Sequence, residues 1–242
     1  MKSHPPPESF PGPTVCVALT GASGIQYGLR LIECLVQADA AVYVLMTKAA
    51  RICMGMDTDI PVPARTRDVQ SDFSERYGAR PGQLRAFGQE EWTAPIASGS
   101  GAPDAMVVCP CTTGTLAALA AGTCTNLLER AADVVLKENR QLIVMPREMP
   151  FSAIHLENML RLSRAGAVIM PPNPAFYQHP NSVDDIIDFV VARVLDQLQV
   201  KQTLMPRWGI DDSPKDSPKA PDPTDPDLAD PDLADMGPAE VS

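Results

Sequence analysis

The sequence predicts a three-layer α/β/α fold built on a doubly wound, mainly parallel sheet of the flavodoxin-like or Rossmann-like type. Short β-branched apolar runs alternate with segments of helical periodicity, which is the pattern of parallel strands joined by crossover helices. A glycine-rich turn follows the first apolar run, Thr14–Leu19. The region that carries this pattern, residues 14–210, is long enough for one domain with a full core.

The first half of the domain begins with two well-marked strand and helix units. Each strand is a run of β-branched and apolar residues, TVCVAL and then AVYVLM, and the helix after the first strand repeats apolar residues at helical spacing, as at Ile32 and Leu35. The stretch 57–100 is less regular, and one helix and one short strand are predicted in it. The predicted strands are 14–19, 41–46 and 84–87, and the predicted helices are 25–36, 69–77 and one that starts at 48–54.

The second half has clearer boundaries. Asn126 and Ser182 are suited to cap the helices that follow them, because a side-chain oxygen can accept a hydrogen bond from an N–H of the first turn. Asp184 and Asp185 lie in the first turn of the last helix, where the helix dipole favours negative charge. The predicted strands are 105–109, 141–145 and 167–170, and the predicted helices are 115–121, 127–138, 152–163 and 183–199.

The two ends of the chain differ from the domain in composition. Residues 1–13 contain five prolines, and residues 211–242 contain seven prolines, ten acidic residues and two lysines. Such segments bury too little apolar surface to fold, so we predict that both are disordered. The chain as a whole has a net charge of −10, but the acidic segment accounts for most of it and residues 1–210 carry about −2.

Composition also argues against several classes of protein. No apolar run approaches the roughly 20 residues of a membrane helix, and the proline-rich start has no apolar stretch for a signal peptide. We therefore expect a soluble, cytoplasmic protein with reduced cysteines. Cys109 and Cys111 lack the further ligands of a zinc site, so no metal is expected. No basic stripe indicates nucleic acid.

Ligands of an open parallel sheet bind beyond the carboxyl ends of its strands, so the residues that follow each apolar run are the candidates. In TGASGIQYG, after the first strand, Gly21, Gly24 and Gly28 allow close backbone approach, and the start of the next helix suits a phosphate. The pattern is not G-x-G-x-x-G, and Thr47 rather than an acid follows the second strand. A mononucleotide is favoured over NAD, and a tight turn without a ligand is the alternative.

Polar groups also follow the later strands. The turn 110–115 (PCTTGT) offers hydroxyl and backbone donors, and Arg130 and Lys137 share a helix face because they lie about two turns apart. Arg147 and Glu148 follow a buried strand, where a cation and an acid suit an anion clamp and a proton donor or acceptor. A capping turn, a solvated basic stripe and a surface ion pair are the plain structural alternatives.

The last strand is followed by a stiff proline-rich loop that presents Tyr177, and Arg193 lies on the helix after it. Each of these signals is weak by itself. Together they bring cations, one acid, one phenol and two phosphate-binding turns to positions suited to a single ligand site.

Several stretches, in order, closely resemble the UbiX family of flavin prenyltransferases: GASGIQYGLRLIE, LMTKAA, SGSGAPDAMVVCPCTTGTLAALAAG, NLLERAADVVLKENRQLIVMPREMPFSAIHLENMLRLS, GAVIMPPNPAFY and DFVVARVLDQL. The resemblance covers about Val15 to Gly209. It implies a metal-independent enzyme that binds reduced FMN and dimethylallyl monophosphate and joins the prenyl group to flavin N5 and C6. It also implies that prenylated FMN passes to a UbiD-type decarboxylase, in ubiquinone biosynthesis, and that the enzyme is a homododecamer with active sites at subunit contacts.

The resemblance assigns roles by position. The catalytic residues would be Ser23, whose hydroxyl lies near flavin N5, Glu148, which shuttles a proton to the leaving phosphate, Lys137 and Asp57. The FMN-binding residues would be Gly21, Ala22, Ser23, Thr47, Thr112, Thr113, Gly114, Thr115 and Arg147. The substrate-binding residues would be Ser98, Gly99, Arg130, Lys137, Glu148, Tyr177, Arg193 and Trp208.

Some positions depart from the family pattern. Thr47 and Thr112 stand where serine is usual, and both keep a hydroxyl. Asp57 stands where the family often has a glutamate, so we expect the shorter side chain to slow a proton-transfer step without abolishing it.

Two other functions remain open at this point. An FMN-dependent cysteine decarboxylase of the same superfamily would have an Asn-rich turn after the third clear strand and a histidine after the first helix. This chain has CTTGT and Ala50-Arg51-Ile52 at those places. A flavin carrier without chemistry would share the FMN-binding residues and would not depend on Glu148.

Overall fold

Six strands and seven α-helices, all predicted from the sequence, form in residues 10–206, the part of the chain that the computed structural model describes. The strands are β1 (Thr14–Leu19), β2 (Ala41–Met46), β3 (Leu84–Phe87), β4 (Ala105–Cys111), β5 (Gln141–Pro146) and β6 (Val168–Ile169). The helices are α1 (Ile25–Gln37), α2 (Lys48–Asp57), α3 (Thr66–Tyr77), α4 (Thr113–Ala121), α5 (Leu127–Lys137), α6 (Ala153–Arg164) and α7 (Val183–Gln197). The predicted tail, 211–242, and most of the predicted N-terminal segment, 1–13, lie outside the described residues.

Two boundaries differ from the prediction in a way that affects the site. Strand β4 continues to Cys111, which pairs with Pro146 of β5 after a shift of register beyond Val108. Pro110 lies in this irregular part, as expected for a residue that has no N–H to donate to a ladder. Helix α4 then begins at Thr113, so the predicted loop 110–115 is the end of a strand followed by the first turn of a helix.

All described strand pairs are parallel, in the order β3-β2-β1-β4-β5-β6. The direction of strand order reverses between β1 and β4, where Val17 pairs with Val107. A reversal of this kind opens a crevice at the carboxyl ends of the two strands, which is the usual ligand position in such sheets.

Helices cover both faces of the sheet, which confirms the three-layer prediction. Strand β1 alternates between the two faces, since Val15 and Val17 belong to one buried cluster and Cys16 and Ala18 to the other. The first cluster includes buried residues of α1, α2, α3 and α7, and the second includes those of α4, α5 and α6.

Helix α1 lies unusually close to the sheet at the reversal point. A side chain at Gly28 would place its Cβ 2.5 Å from the carbonyl oxygen of Cys109. Only glycine permits this approach, and it brings the start of α1 to the carboxyl edge beside β4.

Candidate active site

Thr20 joins the ends of β1 and β4. Its side chain is 1% exposed, and its hydroxyl donates to the carbonyl of Pro110 at 2.7 Å and accepts from the N–H of Thr112 at 2.9 Å. Sequence reasoning missed this residue, although a threonine directly after a fully apolar strand was a usable signal. The two hydrogen bonds set the position of the 112–115 turn relative to the glycine-rich turn.

The glycine-rich turn is shaped by backbone contacts. Gly24 adopts a left-handed conformation with φ 96°, and Gly21 packs so closely on Ala49 of α2 that a side chain there would overlap it. Ala22 is buried, whereas the predicted catalytic Ser23 is exposed at the tip of the turn. The turn therefore leaves Ser23 accessible at the carboxyl edge.

Asp57 lies beside this turn, although it is 33 residues away in sequence. Its carboxylate accepts a hydrogen bond from the N–H of Gly24 at 2.8 Å, and its carbonyl accepts from the side-chain amide of Gln26 at 2.7 Å. The last residue of α2 therefore holds the start of α1 and binds Gly24, the residue that follows Ser23 in the chain.

Two threonines cap the helices that begin at this edge. The Thr47 hydroxyl accepts from the N–H of Ala50 at 3.0 Å. The Thr112 hydroxyl accepts from the N–H of Thr115 at 3.1 Å and donates to the Thr115 hydroxyl at 2.9 Å. Each cap satisfies one N–H of its helix start, and other N–H groups of the first turn remain without an intrahelical partner.

Thr113 and Gly114 lie in the first turn of α4. A Cβ placed on Gly114 would meet nothing within 4 Å, and its φ is not positive. No contact within the described chain requires glycine here, in contrast to Gly21 and Gly28. The backbone of this turn is therefore exposed, with open space beside Gly114.

Arg147 and Glu148 complete the carboxyl edge. The N–H of Arg147 donates to the carbonyl of Cys111 at 3.1 Å, so the backbone of this loop continues the pairing of β5 with β4. Both side chains are exposed, and the Glu148 carboxylate accepts from the N–H of Met149 at 3.2 Å. A cation and a carboxylate thus face solvent next to the 112–115 turn.

A second set of predicted residues gathers along α5. Arg130 donates from Nε to the carbonyl of Ala97 at 3.1 Å, and Lys137 forms an ion pair with Glu138. A Cβ on Gly99 would lie 3.1 Å from Lys137 Nζ. Ser98, Gly99, Arg130 and Lys137, here called the α5 group, are therefore brought together.

The α5 group extends away from the carboxyl edge. Helix α5 leads into the start of β5, so Lys137 lies at the amino edge of the sheet. Nearby, Arg140 forms an ion pair with Asp104 at 2.6 Å, and Asp104 accepts from the N–H of Thr14, the first residue of β1. A strand of six residues spans about 20 Å, so the amino edge near Lys137 and the carboxyl edge with the Ser23 turn are about one strand length apart.

The third set lies on the opposite face of the sheet. The Tyr177 ring contacts Phe189 of α7 edge-on, with 6.0 Å between ring centroids, and Arg193 follows Phe189 by one helical turn. Helix α7 belongs to the cluster with α1, whereas α5 belongs to the other cluster. Tyr177 and Arg193, here called the α7 group, do not converge with the α5 group inside one chain.

The buried thiols at the carboxyl edge are unsuited to nucleophilic or metal chemistry. Burial raises the pKa of the Cys111 thiol to about 12 and raises that of Cys109 further, so both are protonated at neutral pH.

Within residues 10–206, no cluster of three or more histidine, cysteine or acidic side chains could hold a metal ion. No helix in the same part is long and apolar enough to cross a membrane. Trp208 lies outside the described residues.

The sheet order defines a doubly wound α/β protein, and comparison with family models gives the class as flavin-binding proteins. A family model described as Flavoprotein matches residues 3–195. The strand reversal between β1 and β4, the glycine-rich turn and the capped starts of α2 and α4 all lie within this matched range.

Relatives define the family more closely. A flavin prenyltransferase UbiX from Pseudomonas aeruginosa is 57% identical over 81% of this chain and 93% of the relative, and one from Methanocaldococcus jannaschii is 44% identical over 81% and 98%. A crystal structure of AnUbiX in complex with FMN and dimethylallyl pyrophosphate has a TM-score of 0.73 and 37% identity, covering 81% of this chain and 97% of that one. A dodecameric FMN-dependent UbiX-like decarboxylase from Escherichia coli O157:H7 has a TM-score of 0.72 and 41% identity, over 81% and 98%. The chain belongs to the UbiX family of flavin prenyltransferases, which confirms the resemblance found in the sequence.

Proposed function

We propose that this protein joins the dimethylallyl group of dimethylallyl monophosphate to N5 and C6 of reduced FMN, and that prenylated FMN is passed to a UbiD-type decarboxylase. The observation that carries the proposal is the carboxyl edge, where Ser23 and Asp57 lie at one turn and Arg147 and Glu148 at another, in a chain 57% identical to a flavin prenyltransferase. On the family resemblance we also propose a cytoplasmic role in ubiquinone biosynthesis.

Reduced FMN would bind across the crevice between β1 and β4. The open space at Gly114 and the N–H groups at the start of α4 suit the flavin phosphate, because a helix N-terminus attracts anions. Thr47 and the Gly21–Ser23 backbone would line the same crevice, and Arg147 would contact the flavin or its phosphate. The exposed Ser23 hydroxyl would then lie near flavin N5.

The prenyl donor needs groups that stabilise its leaving phosphate. Ionisation of an allylic monophosphate leaves a dianion beside a carbocation, and fixed cations stabilise that charge as it develops. Arg130, Lys137 and Arg193 would supply the cations, and the Tyr177 phenol would donate a hydrogen bond. Glu148 would transfer a proton to the leaving phosphate, which requires a carboxyl group within hydrogen-bond reach of it.

These phosphate-binding groups support an active site shared between subunits. Lys137 lies at the edge of the sheet opposite to Ser23, and the α5 and α7 groups lie on opposite faces, so one chain does not collect them around one ligand. The chain also exposes apolar side chains on α6 and just before it, a surface suited to contact with another subunit; Met149 is 90% exposed. The other members of this surface are Ile154, Leu156 and Leu160. We infer a homo-oligomer, a dodecamer by analogy with the E. coli structure, in which neighbouring copies complete each site.

The test is an anaerobic incubation of the protein with reduced FMN and dimethylallyl monophosphate, followed by mass spectrometry of the released flavin. The proposal predicts a flavin whose mass has increased by one prenyl unit. Dimethylallyl pyrophosphate serves as the second donor, and an unchanged flavin mass with both donors would overturn the proposal.

The Glu148→Gln variant separates the enzyme from a flavin carrier. The enzyme should retain FMN binding and lose turnover by about 100-fold or more, as for removal of a positioned acid or base. A carrier would be indifferent to the change. A cysteine decarboxylase would instead release carbon dioxide from a C-terminal cysteine peptide, an activity that we expect to be absent.

A further inference from the structure

Each proposed phosphate-binding cation is paired with an acidic residue of its own helix or helix end. Arg130 pairs with Asp133 at 2.8 Å, and Arg193 pairs with Asp196 at 2.8 Å, both at a spacing of three residues. Lys137 pairs with Glu138, and the ammonium group lowers the pKa of that exposed carboxyl. An isolated exposed pair of this kind contributes little to stability, so stability alone does not explain why all three cations are paired.

The Arg193 pair differs from the other two in the burial of its acid. The Asp196 side chain is 20% exposed, compared with 38% for Asp133, and Asp196 Oδ1 is buried without a hydrogen-bond partner among the described residues. A buried carboxylate oxygen without a partner is costly. Because Oδ1 has no partner, the hydrogen bond that Oδ2 accepts from Arg193 Nη1 is the described contact that offsets the burial of the Asp196 carboxylate.

The bond from Nη1 to Asp196 leaves the Nε–Nη2 side of the Arg193 guanidinium accessible to a phosphate. The guanidinium Nε–H and Nη2–H groups donate to no described residue, and together they match two oxygens of a phosphate. The side chain is 54% exposed, so without the acid the long arginine would sample many rotamers, and ordering it on binding would weaken affinity.

We propose that Asp196 is a positioning residue, which holds Arg193 in the orientation that receives the phosphate of the prenyl donor. The inference rests on the proposed function, since it takes Arg193 as a phosphate ligand. Asp196 touches neither donor nor flavin in this role and acts only through the arginine. Arg130 depends less on its own acid, because the carbonyl of Ala97 holds its Nε at 3.1 Å as well.

The test measures KM and kcat for dimethylallyl monophosphate in the Asp196→Ala and Asp196→Asn variants, together with the Kd for FMN and the oligomer mass. We expect Asp196→Ala to raise KM about tenfold with kcat and FMN binding nearly unchanged, and Asp196→Asn, which keeps an acceptor, to give a smaller rise. If the alanine variant fails to assemble, the asparagine variant decides. The matched control Asp133→Ala should raise KM less than Asp196→Ala does.

The Arg193→Ala variant separates failure of this inference from failure of the proposed function. If Arg193→Ala leaves KM unchanged, the phosphate role of Arg193 is wrong. If Arg193→Ala raises KM while Asp196→Ala leaves it unchanged or lowers it, Asp196 competes with the phosphate or does nothing, and the positioning proposal is overturned. In the Arg193→Ala background, Asp196→Ala should have no further effect, and a second tenfold rise there would also overturn it.

Discussion

The carboxyl edge and the helix faces hold their functional groups in different ways. At the carboxyl edge, Thr20, Asp57 and Thr112 are fixed by hydrogen bonds to the backbone of neighbouring elements, and one chain supplies the whole arrangement. On α5 and α7, the half-buried Arg130 and the exposed Arg193 each pair with an acid of the same helix. The difference teaches that one chain alone supplies the carboxyl-edge arrangement, whereas the proposed phosphate site would need a second chain.

The largest expected effect tests that dependence directly. Lys137→Ala and Glu148→Gln should each reduce kcat about 100-fold as pure oligomers. When the two variants are co-expressed with different tags and mixed oligomers are isolated, about one quarter of wild-type activity should return. The reason is that a site built from two chains receives both intact residues in about a quarter of random assemblies.

A matched control uses the double variant, Lys137→Ala with Glu148→Gln, mixed with wild type. Sites shared between chains should again give about one quarter of wild-type activity, whereas sites within one chain would give about half. A shared site would be contradicted if the mixture of the two single variants regained no activity and the mixture of the double variant with wild type kept about half.

An intermediate effect is expected at Thr20, inside the carboxyl edge. Thr20→Val keeps the shape but leaves the Pro110 carbonyl and the Thr112 N–H without their partner, so we expect a loss of about 1–3 kcal/mol in the free energy of unfolding. Denaturant unfolding measures this loss, and flavin fluorescence titration should show FMN binding weakened by about tenfold.

The control for this prediction is Thr20→Ser, which retains the hydroxyl and should keep FMN binding close to wild type. Equal loss of FMN affinity in Thr20→Ser and Thr20→Val would show that the hydrogen bonds of the hydroxyl are not what aligns the two turns.

The smallest effect concerns the glycines of the same edge. Gly114→Ala places a methyl group in open space at a helical φ, so the ligand-free protein should gain about 0.4–1 kcal/mol in the free energy of unfolding. FMN affinity should fall severalfold in the same variant if the ligand approaches this backbone. Gly21→Ala, whose methyl would overlap Ala49, should instead lose stability. A Gly114→Ala variant that binds FMN as tightly as wild type would place the flavin elsewhere.

Much of the fold was accessible from the sequence because each element carries its own local signal. The apolar runs predicted β1, β2 and β3 with the observed bounds, and Asn126 and Ser182 cap their helices as expected. The end of β4 was misplaced, since pairing of Cys111 with β5 decides whether the residues after Pro110 are strand or loop. The local sequence around Pro110 does not show which residue of β5 will pair with Cys111.

The candidate site divides in the same manner. Residue types and motif order predict the cations, Glu148 and the threonine turns as site residues, and these roles stay predictions in a chain whose family membership is shown. Thr20 was missed and Asp57 was named without a contact, because each acts on a residue 31 to 92 positions away. Hydrogen-bond partners at such separations are set by strand order and not by local pattern.

By itself, the sequence determined the alternation of strands and helices, the near-neutral charge of the domain beside an acidic segment, and the chemical types at each strand end. Only the tertiary structure decided which of those groups meet. Parallel strands bring their carboxyl ends to one edge, so Thr20 and Thr112 meet there, and the end of α2 returns Asp57 to Gly24. The direction of α5 instead carries Lys137 to the other edge. Local propensity depends on neighbouring residues, but convergence depends on the path of the whole chain through the sheet.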